Sequence, residues 1–345
     1  MEAARAGGDY IVRVQKADGS FFYYYDAASD RFESRRYNII RHAGATLSLL
    51  ELYKATGRAR YLESARRAMR FLKTRFRRAP ARNTIYVLDF DGKAKLGANG
   101  LALVVLATQV ELDPKFSDRK SATGLANQIL AMQRKDGSFE TRVRIQEDDP
   151  SGPDSLYYPG ESMLGLIRLF AMNHDTKLLQ AAKRAADFLI ESQRKLDSLP
   201  ADAWLMQALE ALYSIGREKK YADHTIALAE AMIAEQYAEP ENYAGGFGPG
   251  PPRATPAASR AEGLVSAYRI ARSISDPRAS KIAASLEASA RFQLAQQFTS
   301  RNSESLPNPS RAAGGFRESL TSMRVRIDFV QHNISSLLGI ADVLY

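Results

Sequence analysis

The sequence predicts an all-α protein, an (α/α)6 toroid in which six helical hairpins build an inner and an outer ring across residues 1–345. Three observations lead there. Apolar residues recur at helical spacing along the whole chain, the helical segments alternate between two kinds, and the connections alternate between short and long.

One kind of segment is amphipathic, basic or mixed in charge: residues 3–15, 61–76, 121–133, 178–193, 221–236 and 281–298. The other is apolar on nearly every side, with its polar residues gathered at the N-terminal end: residues 38–53, 96–108, 159–170, 202–213, 259–271 and 330–345. A helix apolar all round must be buried, whereas an amphipathic one can cover it. Six buried helices interleaved with six covering ones give an inner ring of parallel helices inside an antiparallel outer ring. The inner-to-outer turns are short (ATGRARY, NHDTKLL, SIGREKKY), as helical hairpins require. The outer-to-inner connections, such as residues 16–37, 134–160 and 244–258, are long and rich in Gly, Pro and aromatics. They emerge above the N-termini of the inner helices, so a functional site belongs on that face.

A smaller repeat fits this plan. Outer helices end in Gln and run into a Gly-Phe turn: Gln15 with DGSF, Gln133 with DGSF, Gln236 with GGF and Gln297 with GGF. The glycines make tight turns and the Phe can plug the gap between hairpins, a structural role. The stretch GGFGPGPP follows no strand and lacks the Lys-Ser/Thr of a phosphate loop.

Composition narrows the function classes. The 345 residues are 45% hydrophobic and 25% charged, as in folded globular chains. No apolar run reaches the ~20 residues of a bilayer span, and the first residues lack a signal peptide's apolar core. The compartment stays open between cytoplasm and periplasm, and so does the oligomeric state. Zero cysteines exclude disulfides, thiolate zinc sites and cysteine nucleophiles. No HExxH, EF-hand loop or close His pair occurs, so neither metal nor cofactor is implied. The net charge of +9 concentrates in residues 58–82. Leu62, Ala65, Ala68, Met69 and Leu72 keep helical spacing there, which favours a solvated helix face over a nucleic-acid surface.

If the inner helices are parallel, their N-terminal polar residues converge on one mouth. These are Asn38, Arg41 and His42; Lys95 and Asn99; Tyr157, Tyr158 and Glu161; Asp202 and Trp204; Arg260 and Glu262; and Arg326, Asp328, Gln331, His332 and Asn333. Ring closure sets the first inner helix beside the sixth, which predicts His42 and His332 as neighbours facing one cavity. His174 and His224 are expected at the surface. Capping is the alternative for Asp202, and a favourable helix-dipole position for Glu161 and Glu262. The aromatic residues serve packing or sugar stacking. Asp89 and Asp91, in VLDFDG, read as a strand ending in an Asp-Gly turn that could hang over the mouth. Arg41, Arg260 and Arg326 would suit carboxylate or phosphate groups on a substrate.

The alternation of helices resembles the six-hairpin glycosidases and the related N-acylglucosamine 2-epimerase toroids. The Gln-Gly-Phe turns resemble those of terpene cyclase and prenyltransferase toroids, with Phe where these favour Trp. No DxDD and no thiolate ligand are present, so neither of those two activities is expected. The glycosidase resemblance implies an oligosaccharide or polysaccharide substrate and two carboxylates dividing acid and base roles, drawn from Glu161, Glu262, Asp202 and Asp328. The epimerase resemblance implies proton exchange by two histidines, His42 and His332. Uronate lyases and C5-epimerases, with Tyr, His, Asn and Arg, are a further comparison. Hydrolysis leads, with Asn38, Arg41, Asn99, Tyr157, Tyr158, Trp204, Arg260, Arg326 and Gln331 binding substrate. Sugar epimerisation or elimination is the alternative, and a non-catalytic glycan- or protein-binding scaffold the third.

Overall fold

A computed structural model describes residues 1–33, 37–79, 83–113, 116, 118–143 and 155–345. Within the expected long loops and the basic stretch, residues 34–36, 80–82 and 144–154 lie outside the described residues.

The two kinds of helix occupy the two rings. The outer helices are α1 (Glu2–Arg13), α3 (Ala59–Lys73), α5 (Arg119–Ala131), α7 (Thr176–Gln193), α9 (Lys219–Ala234) and α11 (Ala279–Ala295). The inner helices are α2 (Ile39–Thr56), α4 (Leu96–Leu112), α6 (Tyr157–Asn173), α8 (Ala203–Gly216), α10 (Ala254–Ser273) and α13 (Ile327–Leu344); a short α12 (Pro309–Ala312) stands apart. Each inner helix packs on the next in chain order, and α13 packs back onto α2 to close the ring. The burial follows from composition. Every residue of α4 from Leu96 to Gln109 is buried, whereas α3 buries only its stripe of Tyr61, Leu62, Ser64, Ala65, Ala68, Met69 and Leu72.

The Gln-Gly-Phe turns are clamps between outer helices. Gln15 Nε2 donates to the Gly19 carbonyl at 3.3 Å and to the Ser64 carbonyl of α3 at 3.0 Å. The same double bond joins Gln133 to Gly137 and to Ala181 of α7, Gln236 to Gly245 and to Ser285 of α11, and Gln297 to Gly314 and to Ala3 of α1. Glycine is required in each turn. Gly245 has φ +86°, and a Cβ there would lie 2.0 Å from the Ala288 carbonyl oxygen. The Phe of each turn is buried: Phe21, Phe139, Phe247 and Phe316.

Parts of the long connections fold into small antiparallel sheets rather than loops. Strands β1 (Tyr24–Asp26), β2 (Arg31–Glu33) and β7 (Arg324–Arg326) form one, in the order β2-β1-β7, with Tyr24 opposite Arg326. It ties the first loop to the lead-in of α13 beside the ring seam. Strands β3 (Phe76–Ala79) and β4 (Thr84–Val87) form a hairpin, and β5 (Ala94–Lys95) pairs with β6 (Arg142–Val143).

The basic face of α3 is knitted to its neighbours. Arg60 pairs with Asp9 at 2.6 Å, Arg66 and Lys73 pair with Asp113 and Asp118, and Arg67 Nε donates to Gln15 Oε1 at 3.0 Å. No helix among the described residues is long and apolar enough to cross a membrane.

Candidate active site

The inner-helix N-termini bring three polar groups together. The first lies at the seam, where α2, α10 and α13 meet. His332 Nδ1 lies 2.9 Å from Glu262 Oε1 and donates to that carboxylate, which leaves Nε2, on the other edge of the ring, to carry the lone pair. The His332 side chain keeps 12% of its surface exposed. Burial works against its charged form, but Glu262 outweighs it and holds the imidazolium above its ordinary range. Burial pushes Glu262 up as well, against the pull of the His332 charge.

Beside the dyad, Asp328 is buried and accepts from both Arg326 nitrogens, Nη2 at 2.8 Å, while Arg41 Nε stands 3.3 Å from its Oδ2. Thr255 Oγ1 adds a bond at 3.4 Å. Arg326 also covers the Phe329 ring, 4.4 Å from its centroid. Both arginines face Asp328, which offsets one of the two positive charges expected to attract an acidic substrate. Arg41 still exposes 38% of its side chain. Arg260 leans toward Glu235, 3.8 Å away, and over Phe247.

The second group is a pair of buried carboxyls on adjacent helices, Glu161 of α6 and Asp202 before α8. Asp202 Oδ1 caps α8 by accepting from the Leu205 amide at 3.0 Å, while Oδ2 has no hydrogen-bond partner among the described residues. Burial raises Asp202 to about 7, against the pull of the Leu205 and Trp204 amides. Glu161 lies well above the usual carboxylate range through burial and then the neighbouring Asp202. Its Oε2 also has no hydrogen-bond partner among the described residues and lies against α4, where a Cβ on Gly97 would come within 2.1 Å of it and 2.3 Å of the Tyr158 ring. Tyr157 stays 43% exposed at the rim.

The third group is Lys95, whose Nζ bridges Asp89 and Asp91 at 2.7 Å each. Asp89 is buried and accepts from the Ile39 amide at 3.0 Å, capping α2 from a neighbouring connection. The VLDFDG carboxylates are therefore turn and cap, not mouth.

The structure corrects several expectations. His42 does not face the cavity with His332. Its ring points outward between α2 and α3, wholly buried, with Tyr37 donating to Nδ1 at 2.8 Å and Nε2 donating to the Ala68 carbonyl at 2.9 Å. Burial lowers it to about 4, so it is a neutral spacer. A register of about 100° per helical residue explains this: Arg41 faces the seam, so its neighbour cannot. Four residues expected to bind substrate hold the frame or the core instead. Asn99 is fully buried and accepts from the Val87 amide at 2.8 Å, tying β4 to α4. Gln331 fills the space left by Gly44, where a Cβ would lie 2.0 Å from its Oε1. Asn38 caps α2 through the Arg41 amide at 3.0 Å. Asn333 bonds the Phe329 carbonyl within its own helix, and Trp204 is 8% exposed and packed in the core. His174 is exposed as expected, but His224 is buried and bonded to Gln193 at 2.8 Å.

Glu51, Arg168 and Glu210, deeper on the inner helices, were not anticipated as part of the site. For the latter two the signal was present: Arg168 follows Glu161 by seven residues, and Glu210 follows Asp202 by eight, spacings that keep one helix face. Among the described residues no group of three or more His, Asp or Glu is arranged to hold a metal ion.

No family model and no curated protein matches the chain. Solved structures do. An α-1,6-mannanase from Salegentibacter sp. HEL1_6 superposes with a TM-score of 0.70 at 12% identity over 99% of both chains. A D-mannose isomerase gives 0.72 at 11% identity over 99% of this chain and 97% of that one. A cellobiose 2-epimerase from Bacillus thermoamylovorans gives 0.72 at 12% identity over 99% and 98%. The likeness is one of fold: this chain is an (α/α)6 toroid built as the six-hairpin glycosidases and the epimerase-like toroids are built.

Proposed function

We propose that the chain is a carbohydrate-active enzyme that moves a proton at the carbonyl end of a sugar, as an aldose–ketose isomerase does, with His332 as the base. The observation that carries this reading is the His332–Glu262 dyad, partly exposed, with its basic nitrogen turned away from the carboxylate. In such a reaction a base takes the proton from C2 and returns it to C1 through a cis-enediol, while one proton moves from O2 to O1. Both carbons present the same face, so one base suffices. Two-base epimerisation is disfavoured, because His42 is buried and doubly bonded. Arg41, exposed beside the dyad, is placed to stabilise the developing enediolate oxygen. Asp328 offsets only one of the two charges on Arg41 and Arg326, which leaves one positive charge of the three beside the dyad for a developing enediolate.

Hydrolysis remains the second reading on one specific observation, the buried Glu161–Asp202 pair, which keeps a proton available near neutral pH. One structural neighbour is an inactive mannanase variant, with two adjacent aspartates replaced by asparagine, bound to α-1,6-mannotriose. The only adjacent aspartates of this chain, Asp148 and Asp149, lie outside the described residues.

The test is solvent-deuterium incorporation into reducing sugars (mannose, glucose, fructose, cellobiose), followed by NMR, alongside a glycoside-cleavage assay on α-1,6-mannan. The proposal expects exchange at C1 or C2 that His332→Asn abolishes and Glu161→Gln leaves measurable. Cleavage without exchange, lost in Glu161→Gln or Asp149→Asn, overturns it in favour of hydrolysis. Neither activity leaves a glycan-binding module.

A further inference from the structure

Beneath the mouth the inner helices carry a second polar layer. A face repeats after seven residues of α-helix, about 10.5 Å along the axis. Applied to the mouth residues, that step leads from Glu161 to Arg168, from Glu262 to Arg269 and from Asp328 to Ser335. Contacts tie these groups to neighbours on adjacent inner helices. Ser335 Oγ donates to Glu51 Oε2 across the α13–α2 seam. Arg168 of α6 donates to Thr108 of α4. Glu210 of α8 stands 3.6 Å from Arg269 of α10. An apolar ring needs none of these groups, and burial disfavours the charged forms of Glu51, Arg168 and Glu210, whereas Arg269 is exposed and also pairs with Asp342 at 2.8 Å.

Of Glu51, Arg168 and Glu210, only Glu51 feels the charges of both His332 and Glu262. His332 and Ser335 are three residues apart on α13, so they lie one above the other on the same face, and Ser335 passes that position to Glu51. We propose that Glu51, acting through Ser335, is a positioning residue for the site: its carboxylate under the seam sets the charge state of the His332–Glu262 dyad. This rests on the reading of His332 as the base.

The surrounding charges are compatible with that role. His332 faces Glu262 from α10, Arg41 from α2 and Asp328 on its own helix. Glu51 faces Arg168 from α6 besides the dyad. Arg168 in turn feels Glu111 and Glu210, and burial disfavours its charge. Arg168 therefore divides its attraction among several carboxylates and does not pair off Glu51 alone. Burial pushes Glu51 above the usual carboxylate range and Glu262 adds to that, while Ser335, Arg168 and the imidazolium above it pull the other way. A negative charge on Glu51 and a proton on His332 thus favour each other. An ionised Glu51 keeps the dyad protonated to a higher pH, and neutral His332, the form that can act as base, then appears only above that range.

The test reads His332 directly. In protein labelled with 13C-histidine, the His332 resonance is assigned by its loss in His332→Asn, and its titration is followed by NMR. A unit charge about 10 Å away, in surroundings of effective dielectric about 20, moves a neighbour by about one pH unit. Glu51→Gln retains an acceptor for Ser335 but removes the charge. The His332 midpoint should fall by about one unit, and the alkaline rise of deuterium exchange should move down with it. Ser335→Ala should shift the midpoint in the same direction by less, and it covers the case in which Glu51→Gln does not fold. Glu111→Gln, at the exposed end of α4, should leave it in place. An unchanged His332 midpoint in folded Glu51→Gln, or in Ser335→Ala if only that variant folds, overturns the inference. The NMR titration needs no turnover, so absence of sugar exchange would count against His332 as the base without bearing on the coupling.

Discussion

Replacing Asp202 by Asn isolates the cost of a buried carboxylate at the site. The side chain is fully buried; one oxygen caps α8 and the other has no hydrogen-bond partner among the described residues. Asn is as good an N-cap as Asp, so the Leu205 amide keeps its acceptor. What the substitution removes is the charge. Asp202 is raised from its ordinary 3.8 to about 7, chiefly by burial. A raised carboxyl folds best protonated: its stability contribution is complete below about pH 4 and is lost as pH rises through about 7. At 1.36 kcal/mol per unit, a shift of about three units is worth about 4 kcal/mol once the group is fully ionised. Roughly 2 kcal/mol of that is already lost at about pH 5, which leaves 2 to 3 kcal/mol to appear between about pH 5 and pH 8.5. Urea denaturation of both proteins across that interval measures it. The stability of Asp202→Asn relative to the parent should climb by about 2 to 3 kcal/mol from the acid to the alkaline end. Glu161 moves the same way when its charged neighbour disappears, so the coupling strengthens the trend. A difference that stays constant across the pH range would show that Asp202 ionises as it does in water, and the argument for a proton held by this pair would fall with it.

Three further outcomes follow from the frame. Gly245→Ala must place a Cβ 2.0 Å from a backbone carbonyl at φ +86°, and it should cost about 3 to 5 kcal/mol. Gly57→Ala, at φ +65° with nothing within 4 Å, should cost only about 1 kcal/mol; equal losses in thermal or urea unfolding would refute the steric reading of the clamp. Gln133→Ala strips the clamp of its donors to the Gly137 and Ala181 carbonyls and should destabilise by about 2 kcal/mol, checked by urea midpoint at constant slope. His42, buried and lowered to about 4, should keep an unprotonated ring at about pH 5.5 by NMR; a midpoint near 6.5 would place it in solvent. Its depressed value means stability present above the ordinary histidine range and lost as pH falls toward 4, about 3 kcal/mol in all.

The rings were legible in the sequence because burial is periodic. A run such as LGANGLALVVLAT leaves no polar face to expose, and the stripe through residues 61–72 leaves one, so the alternation of inner and outer helices follows from solvation alone. The clamps were legible too, since Gln before Gly-Phe recurs at the ends of four outer helices. Which polar side chain turns inward was harder to read. Arg41 and His42 are adjacent, and a helix rotates about 100° between them, so one position decides between the seam and the α2–α3 interface. Asn99 and Gln331 sit where substrate contacts were expected. Yet the β4 strand claims one and the gap opened by Gly44 claims the other, and neither neighbour is near in sequence. Glu51 shows the opposite case. As a lone carboxylate in the apolar run GATLSLLELY it reads as the polar edge of a helix end. Only ring closure, which sets α13 against α2, turns it toward Ser335 and the underside of His332. Counting in sevens down each inner helix from the mouth residues recovers Arg168, Arg269 and Ser335. The same count applied to any toroid of parallel inner helices separates a polar axis from a merely polar rim.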